Sequence, residues 1–226
     1  MKNLILKLVL ALMLGTGWTG GAAVIDFTGG GTAYSASWSG SQTIADYPGA
    51  GVAFALNFAG AAQISDISIT FTTTGGWNGD LYAYLSHGDG LAILLNKVGA
   101  DAGVPDGYST SGFNNITLGM LGTPDIHTVA SPNQGAPYEA DGRLAYTDTA
   151  RANTLTVFSD ANPNGAWTLY FSDLSPLNQS TLTAWNVNID LLTPVPEPVN
   201  VALGVFGALF AGVGILRRFR TRRPAA

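Results

Sequence analysis

Between Val24 and Leu192 the chain repeats one pattern: apolar residues at every second position, interrupted by short runs of Gly, Asn and Asp. Val52, Phe54, Leu56 and Phe58 alternate with Ala53, Ala55 and Asn57, and Ile67, Ile69 and Phe71 alternate with Ser68 and Thr70. The same holds for Leu81, Ala83 and Leu85, for Trp167, Leu169 and Phe171, and for Trp185, Val187, Ile189 and Leu191. A period of two sends successive side chains to opposite faces of a sheet, so each run reads as a strand with one buried and one solvated face. Turn signals separate the runs: Gly75-Gly76, Asn78-Gly79-Asp80, Gly88-Asp89-Gly90, Asp106-Gly107 and Pro163-Asn164-Gly165. No stretch of a dozen residues in this body has helical spacing with caps. The chain is therefore expected to be all-β, an antiparallel β-sandwich of about eight strands closing in a jelly-roll-like manner. Nothing repeats at a fixed period, which excludes a solenoid or propeller.

Charge is segregated along the chain. All 15 carboxylates lie between residues 24 and 198, where the only basic residues are Lys97, Arg143 and Arg151, so this segment carries 3 − 15 = −12. Nucleic acid is excluded as a partner, because binding phosphates needs clustered Lys and Arg. The absence of cysteine excludes a disulfide framework, a thiolate zinc site and a cysteine nucleophile.

The remaining basic residues sit where topology signals sit. Residues 1–23 read as a signal peptide: Lys2 and Lys7 near the start, an apolar run through Leu14, and small residues ending Gly21-Ala22-Ala23. Residues 24–40 are the lead-in and 41–192 the sandwich. Residues 193–198 form a proline-rich linker that cannot be helical, and within it stand Pro196, Glu197 and Pro198. Val199 to Leu216 contains Asn200 as its one polar side chain. Eighteen residues of helix rise about 27 Å, close to the hydrocarbon thickness of a bilayer, so 199–216 is expected to be a transmembrane helix. In the 217–226 tail, Arg217, Arg218, Arg220, Arg222 and Arg223 would hold that end in the cytoplasm.

The order Pro-Glu-Pro, one apolar span, arginine tail resembles the PEP-CTERM sorting signal of Gram-negative bacteria. The resemblance implies recognition of Pro196-Glu197-Pro198 by exosortase, a membrane-embedded cysteine protease. It further implies an inner-membrane-anchored precursor and release of the body to the cell surface or extracellular matrix.

Two segments of the body carry a second resemblance. One runs from Ile67 through Gly75-Gly76-Trp77-Asn78-Gly79-Asp80-Leu81 to His87, then Leu94-Leu95-Asn96-Lys97. The other runs from Phe158 through Asn164-Gly165-Ala166-Trp167 to Asp173 and closes on Trp185 to Ile189. Together they resemble the P domain (P/Homo B) of subtilisin-like proprotein convertases over about residues 41–192. Asp125-Ile126-His127 and Asp141-Gly142-Arg143 between them also fit. The resemblance implies a β-sandwich jelly roll. It also departs from that family: Gly119 and Met120 stand after Leu118 where many P domains have acids.

No catalytic constellation is legible. Gly107-Tyr108-Ser109-Thr110-Ser111 lacks the last glycine of a nucleophile elbow and no helix follows it. His87 and His127 are too few for a zinc site, and the protein is expected not to be an enzyme. Calcium prefers oxygen ligands, and Asp80, Asp160 and Asp173 are candidate ligands for one ion or, alternatively, turn-capping residues, the commoner role of Asp beside a turn. Trp77, Tyr82, Tyr84 and Tyr170 could form an aromatic platform for a glycan or could cover small side chains. The expected function is that of an exported surface or matrix protein, structural, adhesive or exopolysaccharide-associated. The alternative is a calcium-stabilised accessory domain acting with a separate secreted protease.

Overall fold

A computed structural model describes residues 23–60, 62–132, 134–135, 137–193 and 206. The expected signal peptide up to residue 22, the Pro-Glu-Pro motif, the apolar span apart from Phe206 and the arginine tail lie outside the described residues. Among the described residues no helix is long and apolar enough to cross a membrane. The chain divides into one unit ending at Leu192 and another beginning at Thr193, and the strands all belong to the first.

Among the described residues ten strands form two sheets: β1 (Ile25–Asp26), β2 (Thr28–Gly30), β3 (Ala33–Ile44), β4 (Val52–Phe58), β5 (Ile64–Gly75), β6 (Leu81–His87), β7 (Gly90–Asn96), β8 (Ile116–Gly119), β9 (Gly165–Asp173) and β10 (Ser180–Leu191). One sheet has the order β1-β4-β9-β6-β7 and the other β2-β3-β10-β5-β8. All pairings between these strands are antiparallel except β1 with β4.

The alternating residues read from the sequence are the core. Ile67, Ile69 and Phe71 of β5, Trp167, Leu169 and Phe171 of β9, and Trp185, Val187 and Ile189 of β10 are all at most 2% exposed. The sheets meet through aromatic contacts: Phe71 against Phe171 at 5.8 Å, Phe54 against Trp185 at 5.2 Å and Tyr34 against Phe58 at 4.9 Å between ring centroids. Pairs of this kind add about 0.5–1.5 kcal/mol each beyond the area they bury.

Two features differ from expectation. The sandwich begins before residue 41, because β3 runs from Ala33 to Ile44 and pairs along β10 from Asp190 to Ser180. Strand β7 is buried on both faces from Ala92 to Asn96, so its apolar residues do not alternate. The long segment after β8 covers this strand: the buried Leu155 and Phe158 of its 3₁₀ turn Leu155–Phe158 pack against β7, and along the edge Ile93 donates to Asn153, while Asp141 and Gly142 donate to Leu94 and Ile93. At the edge of β8, Tyr138 donates to Thr117 and accepts from Gly119. Covering both edges removes rows of free amides that would otherwise invite pairing with another chain.

Candidate functional site

The three basic side chains of the body gather at one end of the sandwich, where β6 and β10 begin and β7 and β9 end. The first group surrounds Asp80 and Asp173. Asp80 closes the short 3₁₀ turn Asn78–Asp80 that leads into β6, and Leu81 pairs with Asp173 in the β6–β9 register. Both carboxylates are 2% exposed. Asp173 Oδ1 accepts from the Ser175 amide at 3.0 Å, while its Oδ2 is buried with no hydrogen-bond partner. Asp46 joins them through the Tyr47 amide, which donates to Ser175, and its Oδ1 is likewise buried and unpartnered. Lys97 supplies the countercharge and donates from Nζ to Ser175 Oγ at 3.2 Å.

Burial dominates the titration of this group. It raises Asp80 above the usual carboxylate range against the opposing Ser175 hydrogen bond and Lys97 charge. It pushes Asp173 up to about 6, reinforced by the charges of Asp80 and Asp46.

The second group is an ion-pair network centred on Asp141, which is fully buried. Its Oδ2 accepts from His127 Nδ1 at 2.6 Å and from the Asn96 amide at 3.3 Å. Its Oδ1 accepts from the Arg143 amide and Nη1. Arg143 Nη2 donates to Asp125 at 2.8 Å, and Arg151 Nη1 donates to Glu139 at 2.7 Å. The local fold sets these positions. Asp125 caps the 3₁₀ turn Ile126–Thr128 by accepting from the His127 amide, and Gly142 turns the chain at φ 71° immediately after Asp141. His127 Nε2 points at the Ala100 carbonyl at 2.9 Å. Carbonyl and carboxylate are both acceptors, so the arrangement favours the doubly protonated ring. Burial lowers the imidazole, but the Asp141 hydrogen bond and charge outweigh it and hold His127 above its ordinary value. Beside this network lies a cleft of about 810 Å³ lined by Tyr108, His127, Arg143, Tyr146 and Asp148.

The expected ligand set is only partly assembled. Asp80 and Asp173 come together, with Asp46 as a neighbour the sequence did not reveal. Asp160 does not join them. Its amide donates to Ile64 at the start of β5, whereas Asp80 follows the end of that strand, and 12 residues of strand span about 36 Å. Asp160 stands in a turn at φ 59°. Among the described residues no three Asp, Glu, His or Cys side chains are grouped so as to hold a metal ion.

Of the four aromatic residues, Trp77 is exposed, whereas the three tyrosines pack on one another. Tyr84 is 6% exposed and stacks on Tyr170 at 4.9 Å, with Tyr82 edge-on at 6.1 Å. Tyr170 lies opposite Ala53 on β4, so the rings fill the space over small side chains. His87 stacks on Trp167 at 4.2 Å, with both ring nitrogens facing the carbonyls of Ala166 and Asn162.

No family model matches this chain. No curated protein matches it either. Among solved structures it is similar to the serine protease of Aeromonas sobria, at 11% identity and a TM-score of 0.39, over 70% of this chain and 26% of that one. It is also similar to the Aeromonas sobria serine protease in its complex with a chaperone, at 12% identity and a TM-score of 0.39, over 80% of this chain and 28% of that one. The chain thus spans about a quarter of the length of these proteins, and likeness at this level assigns it neither a family nor an activity.

Proposed function

We propose that the chain is an exported, non-enzymatic bacterial protein of the cell surface or extracellular matrix, with a structural, adhesive or exopolysaccharide-associated role. It is sorted through the C-terminal signal, anchored for a time in the inner membrane and cut by exosortase near Pro196-Glu197-Pro198. The observation that carries this reading is the order of three features within the last 31 residues: Pro-Glu-Pro, an apolar span with one polar side chain, and five arginines. The body is read as a P-domain-like jelly roll, its strands β3-β10-β5-β8 and β4-β9-β6-β7 following one another as in two Greek keys. Its two histidines support a non-enzymatic role, since all four ring nitrogens are directed at carbonyl or carboxylate oxygens within the fold.

Replacing Pro196, Glu197 and Pro198 together with alanine tests the reading. The variant is expected to stay in the membrane fraction while the native chain appears in the medium. Equal release of both would overturn it.

A second reading, a calcium-stabilised accessory domain acting with a separate secreted protease, draws on the unpartnered carboxylate oxygens of Asp46 and Asp173 beside Asp80. Backbone or solvent oxygens would have to complete the coordination of such an ion. An ion that binds only the native state raises the melting temperature, and no shift between millimolar calcium and chelator would remove this reading.

A further inference from the structure

The outward-facing residues of the second sheet are arranged in rows. Asn188 lies between Ser35 and Ser68, and Thr28 extends that row beyond Ser35. Asn186 lies between Ser37 and Thr70, and Thr117 follows Thr70. Ala184 lies between Ser39 and Thr72. Across strands such rows repeat about every 4.8 Å, and along a strand the alternate residues stand about 6.7 Å apart. Every side chain in them is a hydroxyl, an amide or a methyl. None of these three rows is charged; charge on this face begins in the next row, where Asp190 lies between Ala33 and Asp66.

The third row is recessed. Ala184 offers only a methyl group, and the register of β10 slips between Leu182 and Ala184 against both neighbours. The result is a groove of about 290 Å³, with Ser37, Ser39, Thr70, Thr72, Asn115 and Asn186 along it. Ser37, Ser39 and Asn115 are exposed at its rim. Asn186 Oδ1 is buried and has no hydrogen-bond partner in the fold. A buried amide oxygen without a partner is costly unless something donates to it. The Thr70 and Thr117 hydroxyls share a bond of 2.8 Å, which leaves each with further acceptor capacity.

We infer that this groove and the rows leading into it bind a neutral, hydroxyl-rich polysaccharide chain. Such a ligand supplies donors and acceptors at close, regular intervals without charge. The ladder of Ser, Thr and Asn answers each in kind, and rotation of the half-buried Asn186 amide brings its Oδ1 to a sugar hydroxyl. Anionic polysaccharides are disfavoured by the acidic body around the face. The inference rests on the proposed association with exopolysaccharide and adds to it the surface and the class of polymer.

The test uses full-length protein in a zwitterionic detergent without a sugar headgroup. The protein is run through native gels containing hydroxyethylcellulose, dextran or galactomannan, with alginate as the anionic probe. Retardation is expected in at least one neutral gel and not in alginate. Asn186→Ala removes the unpartnered acceptor and Ser37→Glu places a charge on an exposed rim position. Each should weaken retardation about tenfold, the equivalent of one good hydrogen bond, with a melting temperature no lower than that of the native chain. No retardation in any neutral gel, retardation confined to alginate, or equal retardation of both folded variants overturns the inference. Export is read separately by cell fractionation, so failure here leaves the sorting proposal standing.

Discussion

Substituting Asp173→Asn converts the electrostatics of the buried acidic group into a measurable change in stability. Asp173 is 2% exposed, shares its surroundings with Asp80 and Asp46, and is pushed by burial and by those charges from the ordinary 3.8 up to about 6. At neutral pH the folded protein therefore holds an ionised group that the fold disfavours. A folded-state value above the unfolded one means stability is fully present below about pH 4 and is lost as pH rises through about 6. At about 1.4 kcal/mol per pH unit, the gap sets a ceiling near 3 kcal/mol. Screening by solvent and by Lys97 brings the expected effect to roughly 1–2 kcal/mol. Asparagine keeps the oxygen that accepts from the Ser175 amide and places an NH₂ where Oδ2 now has no partner. In chelator at pH 7.5 the variant should melt about 3–6 °C above the native chain. By pH 4, where the native Asp173 is itself protonated, that advantage should vanish. A variant less stable at pH 7.5, or one with the same advantage at both pH values, refutes the argument.

Other consequences follow from the same geometry. His127 is also raised in the folded state, so its contribution is fully present below its ordinary value of 6.5 and lost as pH rises through the folded value. Denaturant titrations should therefore find the native chain more stable at pH 5 than at pH 8, and His127→Gln should flatten the upper part of that slope. Asp141→Ala strips a fully buried carboxylate from His127 and Arg143 and should cost about 3–5 kcal/mol in the same titration. Trp185→Ala, which empties a site packed against Phe54 between the sheets, should cost about 3–5 kcal/mol.

The strands legible in the sequence were those whose inner residues are large. Phe54, Phe71, Trp167 and Ile189 mark their faces unmistakably, because a half-buried strand must alternate. Strand β3 gave a weaker signal: its fully buried positions include the small Ala36, its outer positions are serines, and Gly40 interrupts it. Its place is decided by β10, whose long alternating face needs a partner on either side. The segment from Met120 to Asp160 has no periodicity because, in its described residues, the backbone bonds in turns and to the edges of β7 and β8 rather than in a strand of its own. At the site, Asp80 and Asp173 were legible as acids next to turns, but which end of the sandwich each turn occupies is a property of strand length and direction. That property separates Asp160 from them and brings in Asp46, which no local motif marks. The ladder around Asn186 was present in the alternation as polar positions. Its significance depends on three strands lying in register, with Ala184 leaving a gap among them.

The central claim is that the chain is exported, trimmed at both ends and released, and intact-mass measurement of the protein recovered from the medium tests it most directly. A single species lacking residues 1–23 and ending near Pro196-Glu197-Pro198, without Arg217 or any residue beyond it, is the predicted result. A released protein that retains the arginine tail, or a chain found only in the cell with both ends intact, would contradict it.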